Sequence, residues 1–179
     1  MPVTAWWGSG SPARRGHPLH PFRAVVEAAA EAGVHLVHHA GEECCPGSIR
    51  EALGVGRAER IGHGIHALED PDLVAELAAR RIPLEVCPSS NVSLGLVPSL
   101  AEHPLPAMRD AGLVVTLSTD VPATTGTGLP EEYARVRKVF GWDDGVLAEL
   151  ARAAVDASFA PDDVRGRLHA GIDEWLTSA

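Results

Sequence analysis

Short apolar segments with strand character alternate with helical segments along this chain. The predicted strands cover residues 3–7, 34–37, 61–64, 82–86 and 113–117. The predicted helices cover residues 21–32, 48–53, 71–81, 105–111, 131–138, 145–158 and 162–176. The strands are short apolar runs, whereas the helices repeat apolar residues at intervals of three and four. This alternation at short spacing predicts parallel βαβ units and therefore an α/β fold.

Residues capable of chemistry follow the carboxyl ends of these strands. His39 and Glu42 follow the second predicted strand. His63 lies at the end of the third, and Asp120 follows the fifth. A (β/α)8 barrel builds its active site from successive loops at the strand carboxyl ends. A doubly wound sheet would concentrate the site at one switch point, and no Gly-x-Gly-x-x-Gly turn follows a strand here. The barrel is therefore the predicted fold.

The stretch from His39 to Glu42 has two interpretations. A neutral imidazole is the commonest zinc ligand, and a carboxylate three residues later can donate or accept a proton beside the metal. Alternatively, His39 is a core histidine with satisfied hydrogen bonds, and Glu42 is a charge at the start of a helix. This stretch alone leaves both interpretations open.

Composition limits the functions that the chain could have. The formal net charge is −9 and the basic residues form no cluster, which argues against binding to a polynucleotide backbone. The three cysteines form no C-x-x-C pair, so neither a disulfide framework nor a thiolate zinc site is expected. No apolar run approaches the length of a membrane span, and the N-terminus lacks the pattern of a signal peptide. We therefore predict a cytoplasmic protein without membrane partners.

Five short motifs carry a resemblance to a known family. They are His39-Ala40-Gly41-Glu42, Arg60-Ile61-Gly62-His63-Gly64, Cys87-Pro88-Ser89-Ser90-Asn91, His103-Pro104-Leu105, and Ser118-Thr119-Asp120 with Glu131-Glu132-Tyr133. In this order and at these intervals, the motifs resemble those of the adenosine deaminase family, and the resemblance covers nearly the whole chain. It implies a partial (β/α)8 TIM barrel, roughly strands four to eight, followed by C-terminal helices.

The resemblance also implies a reaction and a role for each site residue. The reaction is the zinc-dependent hydrolytic deamination of adenosine or a related 6-aminopurine nucleoside, which gives the 6-oxo product and ammonia. His39 and Asp120 would be zinc ligands. His63 would be the base that orients and deprotonates the zinc-bound water, and Glu42 would donate a proton to ring N1. Gly10 would let the backbone approach the purine.

Two features of the chain depart from the family pattern. The family barrel begins with a strand that carries His-x-His and supplies two more zinc ligands, but no His-x-His occurs upstream of His39. A closed barrel typically needs ~250 residues. We therefore expect residues 1–179 to form a single incomplete domain, the C-terminal part of an enzyme, with impaired activity. Val121 stands where the family usually has an aspartate that holds purine N7, so substrate recognition should be weakened.

Two alternative functions stay open alongside nucleoside deamination. The chain could be a catalytically inert remnant that only binds or interacts, or it could be an adenine deaminase-like hydrolase.

Missing barrel strands would leave the strands at 3–7 and 113–117 as open edges, so self-association is expected.

Other polar residues are expected to have structural roles. His38 is interpreted as a packed barrel residue, and His66, His103 and His169 as surface or capping residues. The polar side chains at 89–91 are expected to shape the loop after the fourth predicted strand.

Overall fold

The computed structural model describes residues 18–178. In chain order its helices and strands are α1 (Arg23–Glu31), β1 (Val37–Ala40), α2 (Pro46–Gly54), β2 (Arg60–His63), α3 (Pro71–Arg80), β3 (Pro83–Val86), α4 (Pro88–Ser93), α5 (Leu105–Asp110), β4 (Val114–Leu117), α6 (Pro122–Thr125), α7 (Leu129–Phe140), α8 (Asp144–Ala157) and α9 (Asp162–Ser178). Short 3-10 helices cover His20–Phe22, Ile65–Glu69 and Leu100–Glu102. The predicted strand at 3–7 and Gly10 lie outside the described residues.

The described residues divide into two compact units. Unit 1 contains residues 18–86 and 107–114, and unit 2 contains residues 87–106 and 115–178. Unit 1 therefore holds the strands β1, β2 and β3 with the helices α1, α2 and α3. Unit 2 holds the helices α4, α6, α7, α8 and α9.

The strands of unit 1 form a parallel sheet, as their alternation with helices predicts. β1 pairs with β2, and β2 pairs with β3, in the parallel sense. The register between β1 and β2 places His39 beside Gly62 and Ala40 beside His63. Ile61 and Leu84 are partners in the register between β2 and β3, and both are fully buried. Such burial of apolar side chains is typical of a parallel sheet whose faces are covered.

The bounds predicted for this strand, 34–37, are wrong by three residues, because β1 covers Val37–Ala40. The prediction ended where the apolar run gave way to two histidines. In the structure, His38 is 1% exposed, and its Nε2 donates to the carbonyl oxygen of Gly56 at 2.8 Å. Burial lowers the pKa of His38, which keeps the ring neutral and lets it pack in the core. The interpretation of His38 as a packed residue is confirmed.

Unit 2 contains a short helix that the sequence pattern did not predict. The polar residues at 89–91 are predicted to form a loop, but they lie in α4. Pro88 is compatible with the first turn of a helix, because backbone N–H groups in that turn have no intrahelical acceptor and the N–H that proline lacks is not needed. Ser90 and Asn91 are buried and make side-chain hydrogen bonds, so their polarity did not indicate exposure to solvent. The loop prediction is therefore wrong.

The longest helices of unit 2 are α8 and α9, and both agree with the sequence pattern. Asp143 caps α8 by accepting a hydrogen bond from the backbone N–H of Val146, as its position predicts. The residues Leu147, Ala148, Leu150 and Val155 of α8 are buried, whereas α9 has no buried residue. Among residues 18–178, no helix combines the length and the apolar character needed to cross a membrane.

An ion pair between neighbouring strands lies within unit 1. Arg60 Nε is 3.2 Å from Glu85 Oε1, and the two side chains are only 17% and 20% exposed. Burial raises the pKa of Glu85, and the charge of Arg60 offsets only part of that effect. The folded chain therefore holds a proton on Glu85 more readily than the unfolded chain does. Stability from this group falls as the pH rises through the interval between the unfolded and folded pKa values.

We expect Glu85→Gln to remove this pH dependence, because glutamine cannot ionise. Relative to wild type, the free energy of unfolding of the variant should rise with pH above the ordinary carboxyl value of 4.5. The change is at most about 1.4 kcal/mol per pH unit. Urea denaturation of both proteins at a series of pH values measures it, with Glu27→Gln on the exposed face of α1 as the control. A stability difference that stays constant with pH would contradict this assignment.

Candidate active site

His39 lies in β1 directly beside the backbone of Gly62 in β2. A Cβ atom added to Gly62 would lie 2.7 Å from Cδ2 of the His39 ring, which is closer than real Cβ contacts. The absence of a side chain at Gly62 therefore leaves the space that the His39 imidazole occupies. The local sequence of β2 thus fixes where the ring of His39 can lie.

His63 ends β2 in an unusual backbone conformation. Its φ is +67°, in the left-handed region that residues other than glycine rarely adopt, although histidine is among those enriched there. The side chain is 1% exposed. Holding such a residue in this conformation costs roughly 1–3 kcal/mol, which the surrounding packing must offset. Strain of this kind at a strand end is typical of a functional position.

Glu42 lies near both imidazoles, those of His39 and His63. Its Oε1 is 3.4 Å from Nε2 of His63, and its Oε2 is 4.0 Å from Nδ1 of His39. The centroids of the two imidazole rings are 4.9 Å apart, with the planes nearly perpendicular. Glu42 is 7% exposed and precedes the start of α2 by four residues, so it is not a solvated charge at a helix start. Unit 1 therefore brings together three of the predicted site residues.

The backbone before Glu42 is fixed by a serine from α2. Ser48 Oγ accepts a hydrogen bond from the N–H of Gly41 at 2.8 Å and donates to the carbonyl oxygen of Cys45 at 2.9 Å. Gly41 has a φ of +62°, and a Cβ atom there would lie 2.5 Å from Cδ1 of Ile49. Only glycine fits this turn, which places Glu42 beside the histidines.

Asp120 belongs to unit 2 and follows β4. Its φ is +60°, again in the left-handed region. Ser90 Oγ donates a hydrogen bond to Asp120 Oδ2 at 2.7 Å. This bond orients the carboxylate and commits one of its oxygens, while the other oxygen keeps lone pairs that could bind a cation.

A cavity of about 90 Å³ lies beside Asp120 within unit 2. Besides Asp120, it is lined by four hydroxyl-bearing and two apolar residues, namely Ser90, Ser93, Thr124, Thr125, Leu94 and Val121. Val121 is 49% exposed. Its side chain offers no hydrogen bond to a ligand at the position next to Asp120.

Two residues of unit 2 have roles that the sequence pattern did not identify. His103 is predicted at the surface or as a cap, and it is a buried cap: its Nδ1 accepts from the N–H of Leu105, so its Nε2 donates to Asn91 Oδ1. The surface part of that prediction is wrong.

Glu132 is 0% exposed and accepts from the N–H of Ser89 at 2.8 Å. Its place in the motif Glu131-Glu132-Tyr133 was the only signal in the sequence.

Comparison with known proteins identifies the family. A sequence model of the adenosine deaminase family matches residues 10–175. This chain belongs to the adenosine deaminase family. The resemblance carried by the five motifs is therefore confirmed.

Two curated relatives in this family come from Streptomyces coelicolor. An adenine deaminase is 47% identical over 162 residues, which are 89% of this chain and 48% of the relative. An aminodeoxyfutalosine deaminase is 45% identical over 161 residues, which are 88% of this chain and 42% of the relative. The chain thus spans about half the length of the curated relatives it matches.

A solved structure agrees with the family assignment. The adenine deaminase from Arthrobacter aurescens is 39% identical, with a TM-score of 0.91, and the similarity covers 96% of this chain and 52% of that one. The predicted α/β fold, part of a (β/α)8 TIM barrel, is therefore confirmed. The first predicted strand, at 3–7, lies outside the described residues.

We expect Gly62→Ala to displace the His39 ring, because the new methyl group would occupy its space. The free energy of unfolding should fall by about 1–3 kcal/mol, the usual cost of overpacking. Urea denaturation and the NMR signals of the His39 ring measure the two effects. Gly54→Ala is the matched control, since no atom lies within 4 Å of a Cβ there. Unchanged His39 signals in Gly62→Ala would contradict this account.

Proposed function

We propose that this chain contributes to the zinc-dependent hydrolytic deamination of a 6-aminopurine. The observation that supports this most directly is the buried carboxylate of Glu42, 3.4 Å from His63 Nε2 and 4.0 Å from His39 Nδ1. A hydrolysis at an aromatic carbon needs a nucleophile made from water, a base that removes its proton, and an acid that activates the ring. Two imidazoles and a carboxylate supply groups of the right types, and the family supplies the reaction class.

The donor atoms of His39 and Asp120 suit zinc, and we propose both residues as ligands. Imidazole nitrogen and carboxylate oxygen are common zinc ligands. The hydrogen bond from Ser90 to Asp120 resembles the outer contacts that orient metal-binding carboxylates. Two protein ligands are fewer than the three usual for a catalytic zinc, so we propose that a His-x-His segment outside this chain supplies the others.

In the proposed reaction, His63 and Glu42 transfer protons. Zinc, when bound, makes a water molecule acidic enough to act as a nucleophile near neutral pH. His63 accepts the proton of the attacking water at its imidazole. Glu42 donates a proton to ring N1, which makes C6 more electrophilic. Once the water oxygen has bonded to C6, the proton held by His63 passes to the amino group, the C6–N bond breaks and ammonia leaves. The proton of the new C6 hydroxyl group returns to Glu42, which leaves the 6-oxo group. The product is the 6-oxo purine.

The proposed substrate is adenosine or a related 6-aminopurine nucleoside, as the motifs imply. Free adenine is the second candidate, because one relative from Streptomyces coelicolor and the one from Arthrobacter aurescens are named adenine deaminases. Gly10 keeps its proposed role in purine binding. Val121 removes a hydrogen-bond partner for purine N7 in either case. The change in ultraviolet absorbance with adenosine and with adenine separates these candidates, and no turnover with added zinc would favour an inert binding protein.

We expect Glu42→Gln and Val121→Asp to change activity in opposite directions. The test protein is this chain joined to an N-terminal segment that carries the His-x-His strand. Glu42→Gln keeps the shape but removes the proton donor, so the deamination rate should fall about 10²- to 10⁴-fold. Val121→Asp should raise turnover, because it restores a partner for N7. Glu43→Gln is the matched control. Equal activity with Glu42 replaced, or loss of activity in Val121→Asp, would show that these roles are wrongly assigned.

We also propose that the chain associates with itself through open strand edges. The strands expected to have open edges are those predicted at 3–7, which lies outside the described residues, and at 113–117, which is β4. An unpaired strand edge is a template for pairing with another chain. Light scattering at micromolar concentration should therefore detect dimers or larger species, and a stable, monodisperse monomer would refute the proposal.

A cytoplasmic location and the exclusion of polynucleotides stay predictions.

A further inference from the structure

Helix α4 is held on both sides of Ser90 by side chains from distant parts of unit 2. On one side, Ser89 is fixed by two residues of α7: Glu132 accepts from its backbone N–H at 2.8 Å, and Arg135 donates to its hydroxyl at 3.0 Å. On the other side, Asn91 accepts a hydrogen bond from His103 at 3.1 Å. The position of Ser90 therefore depends on contacts that its two neighbours make.

Glu132 is the buried member of this set of contacts. It is 0% exposed, and its Oε2 has no hydrogen-bond partner among the described residues. Leaving a buried carboxylate oxygen without a partner costs free energy, so packing alone would favour an apolar residue here. Cys87, at the N-cap position of α4, makes no side-chain hydrogen bond to the helix. The carboxylate of Glu132 instead accepts from a backbone N–H of the first turn. This cost indicates that the contact with Ser89 serves a purpose beyond packing.

The hydroxyl of Ser90 transmits this positioning to Asp120. Ser90 is 2% exposed, and its Oγ lies 2.7 Å from Asp120 Oδ2. Asp120 has a strained backbone with a φ of +60°, and such a conformation persists only where surrounding contacts hold the residue. A hydrogen bond of this length holds the carboxylate only if the donor is itself held. Unit 2 therefore links Glu132 to Asp120 through Ser89 and Ser90.

We propose that Glu132 is a positioning residue for the zinc ligand Asp120, acting through Ser89 and Ser90. The proposal rests on the proposed role of Asp120 as a zinc ligand. Glu132 fixes the first turn of α4, and the first turn fixes the Ser90 hydroxyl. The hydroxyl holds one carboxylate oxygen of Asp120, and the other oxygen would be the one to bind zinc. Outer contacts of this kind typically change metal affinity by about 10- to 100-fold.

Zinc titration of the full chain tests the proposal without any measurement of activity. Shifts of the imidazole NMR signals on addition of zinc chloride give the Kd. Glu132→Ala should weaken zinc binding about 10- to 100-fold. Glu132→Gln should bind nearly as well as wild type, because its carboxamide oxygen still accepts from the N–H of Ser89. Glu131→Ala, at the exposed neighbouring position, is the matched control and should leave the Kd unchanged.

A second comparison separates positioning through Ser90 from a general loss of structure. In a Ser90→Ala background, Glu132→Ala should cause little further loss of zinc affinity, since the link to Asp120 is already broken. An equal loss in both backgrounds would overturn the proposal. Should Glu132→Ala fail to fold, as judged by circular dichroism, Glu132→Met fills the buried site but cannot accept the hydrogen bond from the N–H of Ser89. It should then weaken zinc binding, and an unchanged Kd would overturn the proposal.

Asp120→Ala distinguishes failure of this inference from failure of the proposed function. If Asp120→Ala weakens zinc binding while Glu132→Ala binds like wild type, the positioning role is wrong and the ligand role stands. If Asp120→Ala leaves the Kd unchanged, Asp120 is not a ligand, and both the ligand role and the positioning role fall.

Discussion

The register between β1 and β2 is the constraint on which the arrangement of unit 1 depends. It places His39 beside Gly62 and Ala40 beside His63. Because side chains alternate between the faces of a sheet, a shift of one residue would exchange His38 and His39. The buried hydrogen bond from His38 to Gly56 opposes that exchange, and Gly62 leaves room for a ring only where His39 lies. Two adjacent histidines with the same chemistry are thereby given different roles, one in the core and one beside Glu42.

Both units store backbone strain at the ends of strands, next to the residues that carry chemistry. His63 and Asp120 have φ values of +67° and +60°, and each such conformation costs roughly 1–3 kcal/mol. A glycine would adopt the left-handed region more cheaply. Both positions instead carry a side chain that can titrate or bind a cation. His63 contacts Glu42, and Asp120 accepts a hydrogen bond from Ser90. These contacts hold the two side chains in place.

The sequence predicted the elements whose pattern is local and missed those that depend on distant partners. The Asp143 cap and the apolar runs of β2, β3 and β4 follow from spacing alone, so they were predictable. The end of β1 was not, because burial of His38 depends on the carbonyl of Gly56, and polarity at that position indicated a strand end. Helix α4 was missed for the same reason, since Ser90 and Asn91 are polar but buried through bonds to Asp120 and His103. Glu132 contacts Ser89 across 43 positions of the chain, which no short window can detect.

Overall similarity does not choose between adenosine and adenine as the proposed substrate, and the wall of the cavity beside Asp120 offers a better criterion. Identities of 47% and 45% connect the chain to relatives named for different substrates, so overall identity favours neither name. Discrimination between related ligands comes instead from a few contacts, because a buried polar group left without a partner costs far more than a missing methylene group. At Val121 the wall is apolar, while Ser93, Thr124 and Thr125 supply hydroxyl groups nearby. A ligand in this cavity would therefore contact hydroxyl groups and apolar side chains beside Asp120, and it would find no hydrogen-bond partner on Val121.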